Sequence, residues 1–245
     1  MSADRVLLLR HGRTAFNQAG RWQGQLDVEL DETGLRQADQ VAEVLAARLH
    51  GLGEVVVVSS DLRRAAVTAR TVARRLGVPE RLDPRLREIY AGTWQGLTRA
   101  EIQAAGMSQE LDAWMGGADV PIGGGERRSE VARRGAQAVA EHAADMDGGV
   151  LVAVTHGGLI RGAVLALVGL DPTTGNQILG GQGNCHWVEL TPGQPHWVLR
   201  AYNLPPSLAT LETYPPVRPG SGRDNTGRGD LRADRVDDQV AQGAL

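Results

Sequence analysis

Val6-Leu7-Leu8-Leu9-Arg10-His11-Gly12 sets the terms on which the rest of this 245-residue sequence is read. Four consecutive apolar residues without alternation predict a strand buried on both faces. The charged pair and the glycine predict a polar loop at its carboxyl end. The pattern returns twice. Val55-Val56-Val57-Val58 runs into Ser59-Ser60-Asp61, and Val150-Leu151-Val152-Ala153-Val154 runs into Thr155-His156-Gly157-Gly158.

Helical periodicity fills the intervals. Asp31 is an N-cap for a helix reaching about residue 50, in which Leu35, Ala38, Val41, Ala42 and Leu45 recur at helical spacing. Ser59-Ser60-Asp61 predicts a cap for a helix over 62–76. Short helices are predicted at 98–105 and 109–115, a long one over 126–145 and another over 159–168. Segment 81–88 reads as weakly extended, and 185–190 and 197–201 as closing strands. Apolar strands alternating with helices predict an α/β fold, a three-layer α/β/α sandwich about a mostly parallel sheet. In such sheets ligands sit beyond the carboxyl ends of the strands, where these polar clusters fall.

The domain is expected over residues 1–204. From Pro205 the composition turns to proline, glycine, arginine and aspartate, so 205–245 reads as a disordered tail with little apolar surface to bury.

Composition bounds the function. Net charge is −3, and no basic stripe favours a nucleic acid or a membrane surface. No apolar run reaches membrane-spanning length, and the first residues lack a signal-peptide pattern. One cysteine, Cys185, excludes a disulfide framework within the chain and fits a reducing cytoplasm. No lysine occurs, so arginine abundance alone is no phosphate signal. No His-Glu-x-x-His spacing suggests a metal, and the run Asp27, Glu29, Asp31 reads as a surface turn and cap.

Four polar groups at strand ends can together transfer phosphate, which needs a nucleophile, cationic donors and an acid. His11 is the candidate nucleophile, with neighbouring arginines favouring its neutral form and a backbone carbonyl holding one ring proton. Gly12 lets the backbone approach a phosphate. Arg10 and Arg64 offer paired donors, while Arg63 points elsewhere. His156 opens a helix whose free amides attract anions, and its side chain can donate to a phosphate oxygen. Glu88 is the candidate general acid, its pKa raised by a bound phosphate dianion. Singly, each has a plainer reading: Glu88 as an ion-pair partner of Arg85 or Arg87, His156-Gly157-Gly158 as a capping turn. His50, His142 and His196 lack companions and read as surface residues.

Taken together these stretches resemble the histidine phosphatase superfamily, which includes cofactor-dependent phosphoglycerate mutase. The matching phrases are Leu7–Thr14 with Asn17, Gly24-Gln25-Leu26-Asp27, Ser59–Ala65, Leu86-Arg87-Glu88 with Gly92, Trp94 and Gly96, and Val154–Gly158, in order across about residues 5–203. The resemblance implies a phosphoglycerate-mutase-like fold and a phosphohistidine formed at His11 and relieved by water. It places Arg10, Asn17, Arg64 and His156 around the phosphate, Gln23, Gly24 and Gly157 at the binding site, and Glu88 as acid and then base. It implies no metal or organic cofactor, and a small phosphorylated metabolite as substrate.

Gly92-Thr93-Trp94-Gln95-Gly96-Leu97-Thr98, followed by only a short stretch before Glu126, resembles the phosphatase branch rather than the mutases. Gln23–Asp27, Trp94–Thr98 and Gly180–Asn184 are similar to actinobacterial glucosyl-3-phosphoglycerate phosphatases. Against that pattern, Gly124-Gly125-Glu126-Arg127 carries arginine where serine is usual, a bulky charge for the pocket rim if turned inward. Phosphoglycerate mutase, alpha-ribazole phosphatase and a non-catalytic phosphate-binding module are the alternatives. The strand at 185–190 is expected at a sheet edge, where it would pair subunits into a homodimer.

Overall fold

The computed structural model describes residues 2–174 and 178–207. Four strands are parallel: β1 (Arg5–Arg10), β2 (Val55–Ser59), β3 (Glu80–Leu82) and β4 (Val150–Thr155). β5 (Trp187–Thr191) runs antiparallel to β1, and β6 (Val198–Leu204) antiparallel to β5. The order across the sheet is β3-β2-β4-β1-β5-β6. After β1 comes one turn, α1 (Ala15–Gln18), then α2 (Glu32–Leu49) and, after β2, α3 (Arg63–Leu76). α4 (Arg99–Ala104) and α5 (Ser108–Met115) form an excursion before α6 (Arg128–Ala144), and α7 (Gly157–Leu167) follows β4.

Alternate residues of each buried strand serve opposite cores. Leu7, Leu9, Val57, Val152 and Val154 meet Val41, Leu45, Ala69 and Val72 of α2 and α3. Val6, Leu8, Val58, Leu151 and Ala153 meet Ala138, Val139, Ile160 and Val164 of α6 and α7. The sandwich is therefore three layers deep, with helices on both faces. A third cluster, including Trp94, Ile102, Leu111 and Trp114, attaches the α4–α5 excursion to α6 and α7. Strands apolar on both faces do not set register by alternation; their polar ends do. His11 N donates to Thr155 O at 3.0 Å and Ser60 N to Val154 O at 3.0 Å, extending the ladder beyond the strands.

Several expectations are corrected. Leu35 is 47% exposed: it lies on the solvent side of α2, whose core face is carried by Ala38, Val41, Ala42 and Leu45. Asp61 does not cap α3; it pairs with Arg87, and the first amide of α3, on Arg63, is taken by Asp27 Oδ1 at 2.7 Å. Segment 81–88 is extended only in β3 and then coils into a 3-10 turn at Pro84–Leu86, where Asp83 accepts from Arg85 N at 2.9 Å. The strand expected from 185 starts at Trp187 and is not an edge. β1 and β6 flank it, so both sides of β5 are already bonded within this chain. His142 has a companion in Asp83, 2.9 Å away. Of the expected tail only 205–207 falls among the described residues. Among the described residues no helix is long and apolar enough to cross a membrane.

At the amino end of β1 a charge cluster is sealed in. Glu189 Oε1 lies 2.5 Å from Arg48 Nε and accepts from Trp187 Nε1 at 3.1 Å, with Arg5 Nη1 at 4.0 Å from Oε2; all four residues are buried. Removing one member of a buried ion pair strands the other. Glu189→Ala is therefore expected to lower urea unfolding stability by about 3–5 kcal/mol; a loss under about 1 kcal/mol would remove this cluster as a stability determinant.

Candidate active site

The carboxyl ends of β1, β2 and β4 meet at a cavity of about 570 Å³. Arg10, His11, Asn17, Gln23, Gly24, Arg64, Glu88 and Gly157 all line it, whereas His156 stands behind the wall.

His11 follows β1 and is 2% exposed. Its Nδ1 is 2.7 Å from Gly12 O. A carbonyl only accepts, so Nδ1 carries the proton and Nε2 keeps its lone pair. Burial, then Arg64, then Arg10 push the pKa well below the ordinary histidine value. The loop is pinned from outside. Gly12 N donates to Thr68 Oγ1 of α3 at 3.1 Å, and Asn184 Nδ2 donates to His11 O at 3.0 Å. Gly12 is needed for a reason other than phosphate approach: a Cβ there would lie 2.5 Å from Gly34 O, where α2 begins.

Arg64 is fully buried. Nη1 donates to Leu26 O and Nη2 to Gly24 O, each at 2.7 Å, and Nε donates to His156 Nδ1 at 3.2 Å. Burial draws its pKa down to about 10. Gly24 sits at φ +53°, and a Cβ would strike Gln95 Oε1, which accepts from Gln25 N at 2.7 Å. Gln95 of the Gly-x-Trp-x-Gly stretch thus shapes the loop that holds Arg64. Arg10 directs Nη1 to Gln182 O, while its buried Nε has no partner among the described residues.

His156 is engaged inside the protein. Accepting from Arg64 at Nδ1, it carries its proton on Nε2, 2.9 Å from Ser60 Oγ. Its ring centroid lies 5.1 Å from that of His11. Burial and Arg64 hold it neutral, with its pKa well below the ordinary value. In this arrangement His156 orients Arg64 rather than donating to an anion in the cavity.

Glu88 pairs with neither Arg85, which binds Asp83 and Glu141, nor Arg87, which binds Asp61. Its Oε1 accepts from Ile89 N at 2.9 Å and Leu159 N at 3.0 Å, and its Oε2 from Gly158 N at 3.0 Å. Two of the α7 amides expected to be free, those of Gly158 and Leu159, are therefore occupied by this carboxylate. A Cβ on Gly158 would sit 2.5 Å from Glu88 Oε1, so glycine is required there. Asn17 Oδ1 accepts from Thr14 N at 3.1 Å and Asn184 Nδ2 at 3.2 Å, which leaves the amide nitrogen to donate.

Sequence reasoning overlooked part of the wall. Arg127 points away from the cavity, with its guanidinium on Asp119 O, and the lining residue is Arg128. Arg161 and Gln182 also line the cavity, and Asn184 braces it. Gly180–Asn184 was legible as a family phrase, and Arg161 lies one helical turn beyond Gly157. Behind the wall, Cys185 adopts φ +57°, its amide donating to Arg10 O at 3.1 Å and its thiol pushed up to about 12 by burial.

Two neutral imidazoles, His11 and His156, make stability depend on pH. Unfolding lets each bind a proton below about pH 6.5, so the unfolded state holds more protons and stability falls as pH falls. Between pH 7.5 and 5.5 urea unfolding in phosphate-free buffer should lose about 3 kcal/mol at most, shared between the two histidines. His11→Asn should halve the slope; a flat profile would show that these rings titrate as they do in the unfolded chain, and a stability that rises as pH falls would show that they are charged when folded.

The family model for the histidine phosphatase superfamily (branch 1) matches residues 6–205. The glucosyl-3-phosphoglycerate phosphatase of Mycolicibacterium vanbaalenii is 44% identical over 198 residues, 78% of this chain and 85% of that protein. Its counterpart in Mycobacterium tuberculosis is 43% identical over 205 residues, covering 80% and 88%. A solved mycobacterial glucosyl-3-phosphoglycerate phosphatase, in complex with VO3, superposes with a TM-score of 0.75 at 42% identity, over 82% of this chain and 100% of that one. With the family model spanning nearly the whole described chain and relatives this similar over most of it, this protein belongs to branch 1 of the histidine phosphatase superfamily.

Proposed function

We propose that this chain releases inorganic phosphate from glucosyl-3-phosphoglycerate through a phosphohistidine on His11. The observation that carries the chemistry is the His11 ring: its proton is held by Gly12 O, and its other nitrogen is unprotonated in a cavity flanked by Arg10 and Arg64. The relatives named above support the substrate. So does a cavity of about 570 Å³, room for a whole small ligand rather than for phosphate alone. For the compartment we infer a reducing cytoplasm, which a lone buried thiol supports.

In the first step the Nε2 lone pair forms a bond to phosphorus as the ester P–O bond breaks. Glu88, protonated, gives its proton to the departing oxygen. Arg10 and Arg64 meet the charge on the equatorial oxygens, Arg64 aimed by His156 and the two loop carbonyls. In the second step Glu88, now a carboxylate, takes a proton from water. The water oxygen bonds to phosphorus, the P–N bond breaks, and Nε2 recovers its lone pair.

His11→Ala should reduce hydrolysis of p-nitrophenyl phosphate below about a hundredth of wild type, and acid-labile, alkali-stable phosphate should be trapped on the unmodified chain. Retained turnover would refute His11 as nucleophile. Glu88→Gln should slow an alkyl phosphate more than the nitrophenyl ester, whose leaving group needs no proton; equal slowing counts against the acid role. Across glucosyl-3-phosphoglycerate, alpha-ribazole phosphate, 3-phosphoglycerate, sugar phosphates and nucleotides, the first should give the highest kcat/KM, and 3-phosphoglycerate should not isomerise. Comparable rates throughout would overturn the substrate assignment.

A further inference from the structure

The cavity extends past the phosphate end. Its lining carries five arginines, Arg10, Arg21, Arg64, Arg128 and Arg161, against one carboxylate, Glu88. Arg21 is matched by Glu101 at 2.7 Å. Arg10 and Arg64 lie beside His11. Arg128 and Arg161 form a separate pair farther out, from two helices packed on each other, α6 and α7.

The outer pair is built rather than waving in solvent. The Arg128 guanidinium lies 3.4 Å over the Trp114 ring, and Nη2 donates to Trp114 O at 2.5 Å. Both arginines are half-buried and also border a small adjoining recess of about 40 Å³. They oppose each other electrostatically: burial first, then Arg161, hold Arg128 at about 10, with Asp119 offsetting part. Arg161 in turn works against Arg10. Arg161 thus works against both Arg10 and Arg128, and an anion between Arg128 and Arg161 would relieve the repulsion.

The spacing limits which anion. Arg161 follows Gly157 by four residues and so stands on the same face of α7, about 5–6 Å further along the axis. That is the reach of a short carbon chain. A planar carboxylate suits the forked donors of guanidinium groups.

We propose that Arg128 and Arg161 form a second anion subsite that binds the carboxylate of a phosphorylated short-chain hydroxy acid while Arg10 and Arg64 hold its phosphate. The proposal rests on the reading of this chain as a hydrolase of small phosphate esters. It assigns the two arginines to substrate selection: they distinguish esters that carry a carboxylate from those that do not.

Calorimetric titration of the His11→Ala protein, in which nothing is hydrolysed, tests it. The ligands are 3-phosphoglycerate, its carboxyl methyl ester and glycerol 3-phosphate. The carboxylate should tighten binding tenfold or more over both neutral analogues (1.4 kcal/mol is about tenfold). Arg128→Gln and Arg161→Gln, each added to His11→Ala, should shrink that ratio to within about threefold, chiefly by weakening 3-phosphoglycerate. Equal affinity for all three ligands would overturn the proposal, and so would a ratio that survives both substitutions. The substitutions lie on different helices, and the ligand-side comparison needs neither, so a variant that fails to fold leaves a decision. Turnover by the unmodified chain is read separately. Carboxylate-selective binding without phosphate release removes the hydrolase reading and keeps the subsite; phosphate release without selectivity does the reverse.

Discussion

The structure turns on the burial of one cation. Arg64 is shut away from solvent on the second residue of α3, and a guanidinium in that position is tolerable only if its donors are met. Three of its five donors are met within the chain, by the loop carbonyls of Gly24 and Leu26 and by the ring of His156 at the β4–α7 junction. Each partner is in turn constrained by the demand. Gly24 must adopt a left-handed backbone to present its carbonyl, Gln95 closes over it, and His156 must be neutral with its proton turned to Ser60. A charge that would be costly alone therefore fixes the 24–26 loop and the β4–α7 junction against the start of α3, beside the cavity.

Glu88 does the same on the opposite wall. Its carboxylate occupies the Gly158 and Leu159 amides in the first turn of α7, forcing glycine at 158 and joining the segment after β3 to the helix after β4. Arg134 of α6 reinforces this from behind, donating to the carbonyls of Arg87 at 2.7 Å and Glu88 at 3.0 Å. The acid is thus positioned by backbone on both sides, which is the kind of support that holds a reacting group to a fraction of an ångström.

How much could be read in advance follows from how local each signal is. The strands at 6–9, 55–58 and 150–154 are continuous apolar runs, and no other placement buries them. The polar residues that follow them come with them, so Arg10, His11 and Arg64 could be named from the sequence, while Glu88 was legible through the phrase Leu86-Arg87-Glu88. Contacts between distant segments left no local trace. Asp27 completes the start of α3 from 36 positions away, where Ser59-Ser60-Asp61 promised a cap of its own. His156 looked like a donor to the cavity because nothing in its neighbourhood announces Arg64 and Ser60 as its partners. Arg128 differs from Arg127 only by the phase of α6, and a one-residue error in where a helix begins exchanges the inward residue for the outward one. The strand near 185 looked like an edge because the pairing order of antiparallel additions is not written in their composition.

Cys185 has a use that nothing in the chemistry requires. It is the chain's one thiol, buried within the 180–186 loop, and its amide is tied to the carbonyls of Arg10 and His11. Burial holds it in the unreactive thiol form. A maleimide can therefore reach it only while that loop is lifted from the end of β1. The rate of its modification is a clock for how often the nucleophile's own backbone comes loose, and the clock needs no engineered label.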